Sequence, residues 1–586
     1  MALDDFFREE LVYFNEMGEE FARAFPKLAP NLSRKGQDPD VERLLEGFAF
    51  MAARIREKLD DELPELTHTL LSLLWPNFLR PLPSCSILQF TPLPNAITEK
   101  QRVPRHVEVD SVPVEGTSCR FRTAYDVDLL PLNITEVELI KRGAAPVLTM
   151  RFEIFSGAAL DQIAFDNLRF YIHGDFHLAQ TLYLYLFQFL RVINVKVQTE
   201  QGSQGFTLRP EMLQPVGFGD DEDLVPYPEN SFHGYRLLQE FFVLPEKYHF
   251  FQLSGLKPIS TLPSATAFEI EFEFNKPIED SIRVETNNIR LYCTPIINIF
   301  KRDADPLRLA HQKQEYIIRP SGGNLLHYEI FSIDNVIGWI QGSGEKHRYN
   351  PFLSYQHGVQ FQGDEEAYYK IKTTPSVLGR GMDSIISFVN ASDERSTPVT
   401  ETISIELTCT NRQLAEKLRV GDISRATATS PEVAKFENII PLTSSVPPPM
   451  GKGLHWMLIS NLSLNFNSLA NVESLRLMLS TYNFHAQYDE TRKRVNEMRM
   501  QGIESINVSP VQYLFKGTPI RGLCTRLTMR SSKFGGDGEM YLFASILNEF
   551  FALYSTVNSF NQLILRNVER GEEYRWKPRL GRQPLI

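Results

Sequence analysis

Residues 268–274 read FEIEFEF, and this stretch decides what kind of fold the chain can have. Four apolar side chains alternate with three glutamates, and side chains two apart lie on the same face of a β-strand. The same period of two recurs in 148–154 and 403–409. These stretches are predicted to be strands with one buried and one wet face, which is typical of antiparallel sheets.

Helical patterns precede the strand-rich region. An acidic amphipathic helix is predicted over residues 4–25, because apolar side chains recur there at steps of about three, four and seven. A second helix is predicted from Asp38 to Leu59, since Asp38 can cap it and Pro39 suits its first turn. A third is predicted from Pro64 to Trp75, and the prolines that follow must end it. The stripe of the first helix consists of Phe7, Leu11, Phe14, Phe21 and Phe25.

Further helices are predicted in the middle and at the end of the chain. One runs from His177 to Leu190, directly after a strand over 168–172. A helix around Val472 to Tyr482 and a long helix from Gly538 to Asn558, with one broad apolar face, are predicted near the end. The expected fold class is therefore multidomain α+β, with N-terminal helices, a β-rich and mainly antiparallel middle, and an α+β C-terminal domain.

Length and one proline-rich stretch set the expected domain organisation. The 586 residues are several times the usual domain size of about 100–200 residues. The stretch PLTSSVPPPMGKG combines three consecutive prolines with serine and glycine, which favours a stiff connector. The predicted parts are an N-terminal helical region 1–83, a β-rich domain 84–285 with an inserted helix near 177–190, a second β-rich domain 286–440, a linker 441–453 and a C-terminal α+β domain 454–586.

Charge and cysteine usage restrict the classes of function. The 61 basic and 72 acidic residues give a net charge of −11, opposite to what nucleic-acid binding needs. Basic residues at 492–499 interleave with acidic ones, which indicates a solvated helix face. Five scattered cysteines without a C-x-x-C pair predict reduced thiols. The acidic N-terminus does not resemble a signal peptide and no apolar run approaches about 20 residues, so we expect a cytoplasmic protein without direct membrane insertion.

Three clusters could carry chemistry, and each has a structural alternative. His173, Asp175 and His177 could ligate a metal, whereas Asp175 could instead cap the following helix. The acidic run 220–223 lacks the spacing of a calcium loop, which favours a solvated loop. The glycines of 535–539 could form an anion-binding turn, but two acidic residues there would repel an anion, so a capped turn is preferred. Common nucleotide, zinc-protease and hydrolase motifs are absent too, so we predict no catalytic residue, metal or cofactor, and not an enzyme.

Nine segments, spread from residue 38 to the end of the chain, carry a family resemblance. They are DPDVERLLEGFAFMAARIREKLDDELPELT (38–67), LLWPNFLRPLPSCSI (73–87), CRFRTAYDVDLLPL (119–132), LRFYIHGD (168–175), VGFGDDEDLVPYPENSFHGYRLLQEFFVLPEKYHFF (216–251), LYCTPIINIFKRDADP (291–306), LISNLSLNFNSL (458–469), YLFASILNEFFALYSTVNSFNQL (541–563) and GEEYRWKPRLG (571–581). Each segment alone is unspecific. In this order and spread, they resemble the TssF family of type VI secretion systems, also called VasA or ImpG.

The resemblance implies a structural wedge component of the type VI secretion baseplate. TssF-like proteins assemble with TssG in a complex that contains more TssF than TssG, so TssG and a second TssF copy are expected partners. TssK, TssE and the VgrG spike are the other partners implied, and the baseplate primes tube and sheath assembly. Two alternatives stay open: a wedge subunit of a phage tail or extracellular contractile particle, and a sheet-rich carbohydrate-active enzyme or binding module.

Aromatic and apolar surpluses mark candidate contacts with a partner. Aromatic anchors are enriched where interfaces lose all their water, and obligate interfaces are apolar at their centres. Two candidates stand out, the block 235–251 and the N-terminal stripe. The alternative for the block is that its side chains form a domain core. The alternative for the stripe is that the helix packs into the core of its own chain. The candidate residues are Phe7, Leu11, Phe14, Phe21, Tyr235, Phe241, Phe242, Phe550 and Phe551.

Overall fold

The computed structural model divides the chain into two compact units. One comprises Met1–Leu74 with Pro449–Ser463, and the other Trp75–Pro448 with Leu464–Ile586. The described residues are 7–8, 11–13, 25, 43, 46–53, 64–94, 96–142, 145–155, 165–199, 202–228, 232–261, 267–309, 313–340, 345–352, 367–376, 381–390, 401–449, 457–458, 471–515, 517–555 and 559–581. The finer domain boundaries expected from the sequence stay a prediction.

Helices occur in both units. In the first unit, residues 7–8, 11–13, 43 and 46–53 are helical, and α1 runs from Pro64 to Leu74. This confirms the predicted third helix, which ends where proline rings would collide with the preceding turn. The helices of the second unit are α2 (Phe176–Gln188), α3 (His233–Val243), α4 (Val472–Thr481), α5 (His485–Tyr488), α6 (Glu490–Gly502) and α7 (Asp537–Leu553).

All described strands belong to the second unit. In chain order they are β1 (Cys85–Pro92), β2 (Gln101–Val103), β3 (Glu108–Val114), β4 (Thr117–Thr123), β5 (Val127–Leu129), β6 (Leu132–Arg142), β7 (Ala145–Ile154), β8 (Asn167–Ile172), β9 (Leu190–Thr199), β10 (Gly202–Leu208), β11 (Leu213–Pro215), β12 (Phe250–Ser254), β13 (Ala267–Phe274), β14 (Ile289–Leu291), β15 (Cys293–Ile297), β16 (Phe300–Asp303), β17 (Leu307–Leu309), β18 (Tyr316–Ile317), β19 (Glu329–Ile340), β20 (Lys346–Pro351), β21 (Ala367–Pro375), β22 (Met382–Asn390), β23 (Glu401–Thr410), β24 (Arg425–Ala426), β25 (Ala434–Asn438), β26 (Ile503–Phe515), β27 (Thr518–Met529), β28 (Phe560–Asn567), β29 (Glu573–Arg575) and β30 (Arg579–Leu580).

These strands pair mostly antiparallel, as the alternating patterns predict. The exceptions among the described strands are β20 with β21 and β27 with β28, which pair parallel. The strand orders are β24-β3-β4-β15-β1-β25, β10-β9-β13-β7-β6, β11-β12-β8-β14, β16-β23-β19-β20-β21-β22-β18 with β17 also on β23, β2-β5, and β26-β27-β28-β29 with β30 also on β28. Together with the helices, they confirm an α+β fold class.

The three alternating stretches form strands as predicted. In β13 every second side chain is buried, and Phe268 stacks on Phe152 of β7 with ring centroids 4.5 Å apart. In β23 the same alternation buries Ile403, Ile405 and Leu407 completely, in a core shared with β19 and β22. Each strand therefore takes its place because one face is apolar and must leave water.

The long C-terminal helix differs from its prediction. It ends at Leu553, and it is buried on nearly all sides although one apolar face was expected. The reason is that α2 and α3 both pack on it. At Gly538 the approach to α2 is so close that a Cβ would lie 2.5 Å from the carbonyl of Gln180. Glycine is needed at that position for contact between the helices.

Asp175 caps α2, as the sequence analysis preferred. Its Oδ1 accepts a hydrogen bond from the backbone N–H of Leu178 at 2.8 Å. We expect Asp175→Ala to lower the free energy of unfolding by about 1 kcal/mol, because one N–H of the first turn loses its acceptor. Urea unfolding would measure this loss of stability. Asp280→Ala is the control, because the side chain of Asp280 is fully exposed. Equal effects of the two substitutions would contradict the capping role.

Candidate partner interface

The aromatic candidates lie in the interior of the second unit. Tyr235, Phe241 and Phe242 of α3 are 0–5% exposed, and Phe550 and Phe551 of α7 are 0% exposed. Burial places these five side chains in the domain core, which was the alternative for the 235–251 block. Their contact with a partner stays a prediction, and in this conformation their rings offer no surface for it.

These rings are part of an aromatic cluster that joins distant segments of the chain. Tyr235 stacks on Tyr482 with ring centroids 4.9 Å apart, and Trp75 contacts both rings. The hydroxyl of Tyr235 is hydrogen-bonded to that of Tyr554 at 2.7 Å. Segments near residues 75, 235, 482 and 554 therefore meet in one place, and aromatic pairs of this kind contribute about 0.5–1.5 kcal/mol each beyond area burial.

The same block contains a buried ion pair that the sequence analysis missed. Lys247 Nζ lies 2.5 Å from Glu240 Oε2, and both side chains are 0% exposed. Glu240 Oε1 also accepts the backbone N–H groups of Leu224 and Val225, and Lys247 Nζ donates to the carbonyl of Gly217. Burial lowers the pKa of Lys247 because the charged form loses its hydration. The pair ties α3 to the loop that precedes it.

The loop tied down in this way contains the acidic run 220–223. Asp220 and Asp221 are exposed, as a solvated loop requires. The expectation is wrong for Glu222 and Asp223, whose side chains are only 16% and 14% exposed. Glu222 accepts the N–H groups of Gly217 and Gly219, and Asp223 pairs with Arg105 at 2.7 Å. Two of the four carboxylates thus organise the loop itself.

The N-terminal stripe is described only in part. Phe7 and Leu11 are helical and half-buried, in agreement with the predicted helix. Phe14 and Phe21 lie outside the described residues, whereas Phe25, where the helix was predicted to end, is not helical and is 49% exposed. The stripe as a partner contact stays a prediction.

The hairpin β26–β27 presents apolar side chains to solvent. Leu514 is 70% exposed and Tyr513 is 51% exposed, close to the turn of the hairpin. Strand β26 lies at the edge of its sheet. From residue 505 to 529 the sequence has three basic residues and no acidic one, in a chain of net charge −11. Exposed edges with apolar side chains are typical of surfaces that meet other proteins.

The clusters considered for chemistry have structural roles. Among the described residues, no group of three or more His, Cys, Asp or Glu side chains is arranged to hold a metal ion. At 535–539, Glu539 accepts the N–H of Gly535 at 2.5 Å and pairs with Arg499, so a carboxylate of the chain itself occupies the turn. Gly536 has a φ of 121°, which favours glycine.

Three comparisons with known proteins agree with the sequence resemblance. The model of the family described as "Type VI secretion system, TssF" matches residues 1–583. The chain is 29% identical to "Type VI secretion system component TssF1" of Pseudomonas aeruginosa strain PAO1, over 99% of each chain. In the described part of the chain, no helix is long and apolar enough to cross a membrane.

Two solved structures are similar over most of the chain. A chain of the cryo-electron microscopy structure of the type VI secretion system TssK-TssF-TssG baseplate subcomplex is 31% identical, with a TM-score of 0.75, over 92% of this chain and 99% of that one. A chain of the type VI secretion baseplate complex is 26% identical, with a TM-score of 0.59, over 100% of both. The chain belongs to the TssF family of the type VI secretion system.

Proposed function

We propose that this chain is a structural wedge component of the type VI secretion baseplate. It assembles with TssG, a second copy of itself and TssK, and further with TssE around the VgrG spike, to prime tube and sheath assembly. The observation that carries the proposal is the likeness to a chain of the TssK-TssF-TssG subcomplex over 92% of its length. The likeness to a chain of the baseplate complex supports it and favours type VI secretion over other contractile particles.

The location and the lack of catalysis are parts of the same proposal. The protein acts in the cytoplasm, and the baseplate docks at the inner membrane through its partners. All five cysteines are buried free thiols, which suits a reducing compartment. Glu240 and Lys247 of the block 235–251 pair with each other, and Arg236 donates to the backbone carbonyl of Gly219, which supports a structural role for the block.

Co-expression with TssG and TssK tests the proposal. We expect one complex on size-exclusion chromatography, and electron microscopy of that complex should give a wedge with more copies of this chain than of TssG. A chain that elutes alone, folded and without either partner, would contradict the assembly. Large obligate interfaces bury more than about 2,000 Å², so the complex should persist at high salt.

The N-terminal stripe gives a sharper prediction within this experiment. Leu11→Asp combined with Phe14→Asp should abolish co-purification with TssG, because two charges would enter the apolar seam of a helical bundle. The matched control is Val12→Asp, since Val12 lies off the stripe and is 55% exposed. If the double variant were well folded and still co-purified with TssG, the N-terminal stripe would not be the contact with TssG.

A further inference from the structure

A small cleft in the second unit carries an excess of positive charge. Its volume is about 310 Å³. Arg80, Arg122 and Lys301 line it, with Asp334 as the acidic residue of the lining. Pro226, Tyr227, Pro228 and Phe331 supply apolar walls, with Ser332 and Thr408 beside them. Three cations face one carboxylate, so the lining has a formal surplus of two positive charges.

The single carboxylate already has three partners. Asp334 Oδ2 lies 2.7 Å from Lys301 Nζ and accepts the hydroxyl of Thr408 at 2.7 Å. Its Oδ1 accepts the hydroxyl of Ser332 at 2.9 Å. Asp334 therefore pairs with Lys301, and it makes no direct hydrogen bond or ion pair with either of the two arginines of the cleft.

Within the described part of the chain, Arg122 has no partner of its own. Its side chain makes no hydrogen bond or ion pair with any described residue, and its Nε is buried without an acceptor. The other acids within electrostatic reach each hold a different cation: Asp223 pairs with Arg105, and Glu108 pairs with Arg120. A half-buried guanidinium without a counter-ion is costly, and such groups are retained where they bind something.

Arg80 completes the pair of arginines. One of its Nη atoms donates to Asn77 Oδ1 at 2.8 Å, and its guanidinium lies 5.1 Å from the ring centroid of Phe331. These contacts fix the plane of the guanidinium against the wall of the cleft. Burial lowers the pKa of Arg80 to about 10, which still leaves it charged at neutral pH.

We propose that this cleft binds a carboxylate side chain from an acidic segment of a partner polypeptide, held between Arg80 and Arg122. Two guanidiniums match the oxygens of a carboxylate by charge-assisted, directional hydrogen bonds. The volume is at the lower end for ligand pockets, about 300 Å³, and a bare inorganic ion would leave much of it to water. The proline and tyrosine walls suit the aliphatic stem of a side chain and its backbone. The identification of the occupant as a polypeptide rests on the proposed assembly function, whereas the binding of a carboxylate in the cleft does not.

Peptide binding to the isolated full-length chain tests the cleft. The probe is fluorescently labelled octaglutamate, measured by anisotropy at low salt, with octaglutamine as the uncharged peptide. We expect Arg122→Gln and Arg80→Gln each to weaken octaglutamate binding by about tenfold or more. The matched control Arg521→Gln removes an exposed arginine of the basic hairpin and should leave binding unchanged. Equal binding by wild type and Arg122→Gln would overturn the site.

Two further readings separate the remaining outcomes. Competition by inorganic phosphate beyond that of chloride at equal ionic strength would make a free anion the occupant and overturn the polypeptide assignment.

Thermal unfolding separates a binding arginine from a structural one. Arg122→Gln should raise the unfolding midpoint by about 1–2 °C, because a poorly paired buried charge is removed. A lower midpoint would mean that Arg122 stabilises the fold, contrary to the proposal. Failure of wedge assembly with intact peptide binding would count against the proposed function alone.

Discussion

Lys247→Met is expected to lower the free energy of unfolding by about 3–5 kcal/mol, the usual cost of removing one partner from a buried ion pair. Glu240 would remain completely buried, with two backbone N–H groups donating to it and its one direct ion pair lost, so that only the charge of Arg236 would still act on it. The carbonyl of Gly217 would also lose the donor that it has in Lys247 Nζ. Urea unfolding followed by circular dichroism measures the loss, together with the rate of limited proteolysis in the 217–225 loop.

An exposed lysine with two carboxylates nearby provides the control for this effect. Lys196 pairs with Glu271 and Glu269 across neighbouring strands, but its side chain is 48% exposed. Lys196→Met should therefore cost less than about 1 kcal/mol. If Lys247→Met does not fold, the double variant Glu240→Gln with Lys247→Met keeps an acceptor for both N–H groups and should recover most of the stability. A double variant no better than Lys247→Met would show that packing, and not charge, sets the loss.

The strands were predictable because their information is local. The alternation in 268–274 fixes which side chains leave water, whatever the neighbouring strand is. The neighbours themselves were not predictable. Strand β1 pairs with β15 and β25, which lie about 200 and 350 residues later in the chain. Such long-range pairings are decided by packing of the whole sheet, which no local pattern encodes.

The ion pair illustrates what local patterns conceal at the candidate site. Arg236 and Glu240 lie four residues apart on α3, a spacing that usually indicates an exposed pair on a helix surface. In the structure Glu240 pairs instead with Lys247, beyond the end of the helix, and Arg236 donates to the carbonyl of Gly219 at 2.8 Å. The signal that could have revealed burial was the density of aromatic residues around Arg236, Glu240 and Lys247. The unpaired Arg122 has no comparable signal in the sequence.

Lowering the pH from 7 to 5 is expected to destabilise the fold through two buried histidines. His249 and His485 are 2% and 1% exposed, and the pKa of each is lowered to about 4. Burial is the main cause for both, and the charge of Arg492 adds to it for His485. The unfolded chain binds a proton at each ring below a pKa of about 6.5 while the folded chain does not, so stability is lost as the pH falls from about 6.5 toward 4.

The size of this acid effect follows from the two pKa values. A pH of 5 is about 1.5 units below the pKa of an unfolded histidine. Each histidine therefore lowers the free energy of unfolding by about 2 kcal/mol at that pH, and the two together lower it by about 4 kcal/mol. His249→Leu should remove about 2 kcal/mol of the stability that is lost between pH 7 and 5, because an apolar side chain of similar size takes up no proton. Urea unfolding across that range measures it, with His177→Leu at an exposed position as the control. A wild type and a His249→Leu variant that lose stability in parallel would mean that His249 is protonated in the folded chain, and that its burial does not govern the acid response.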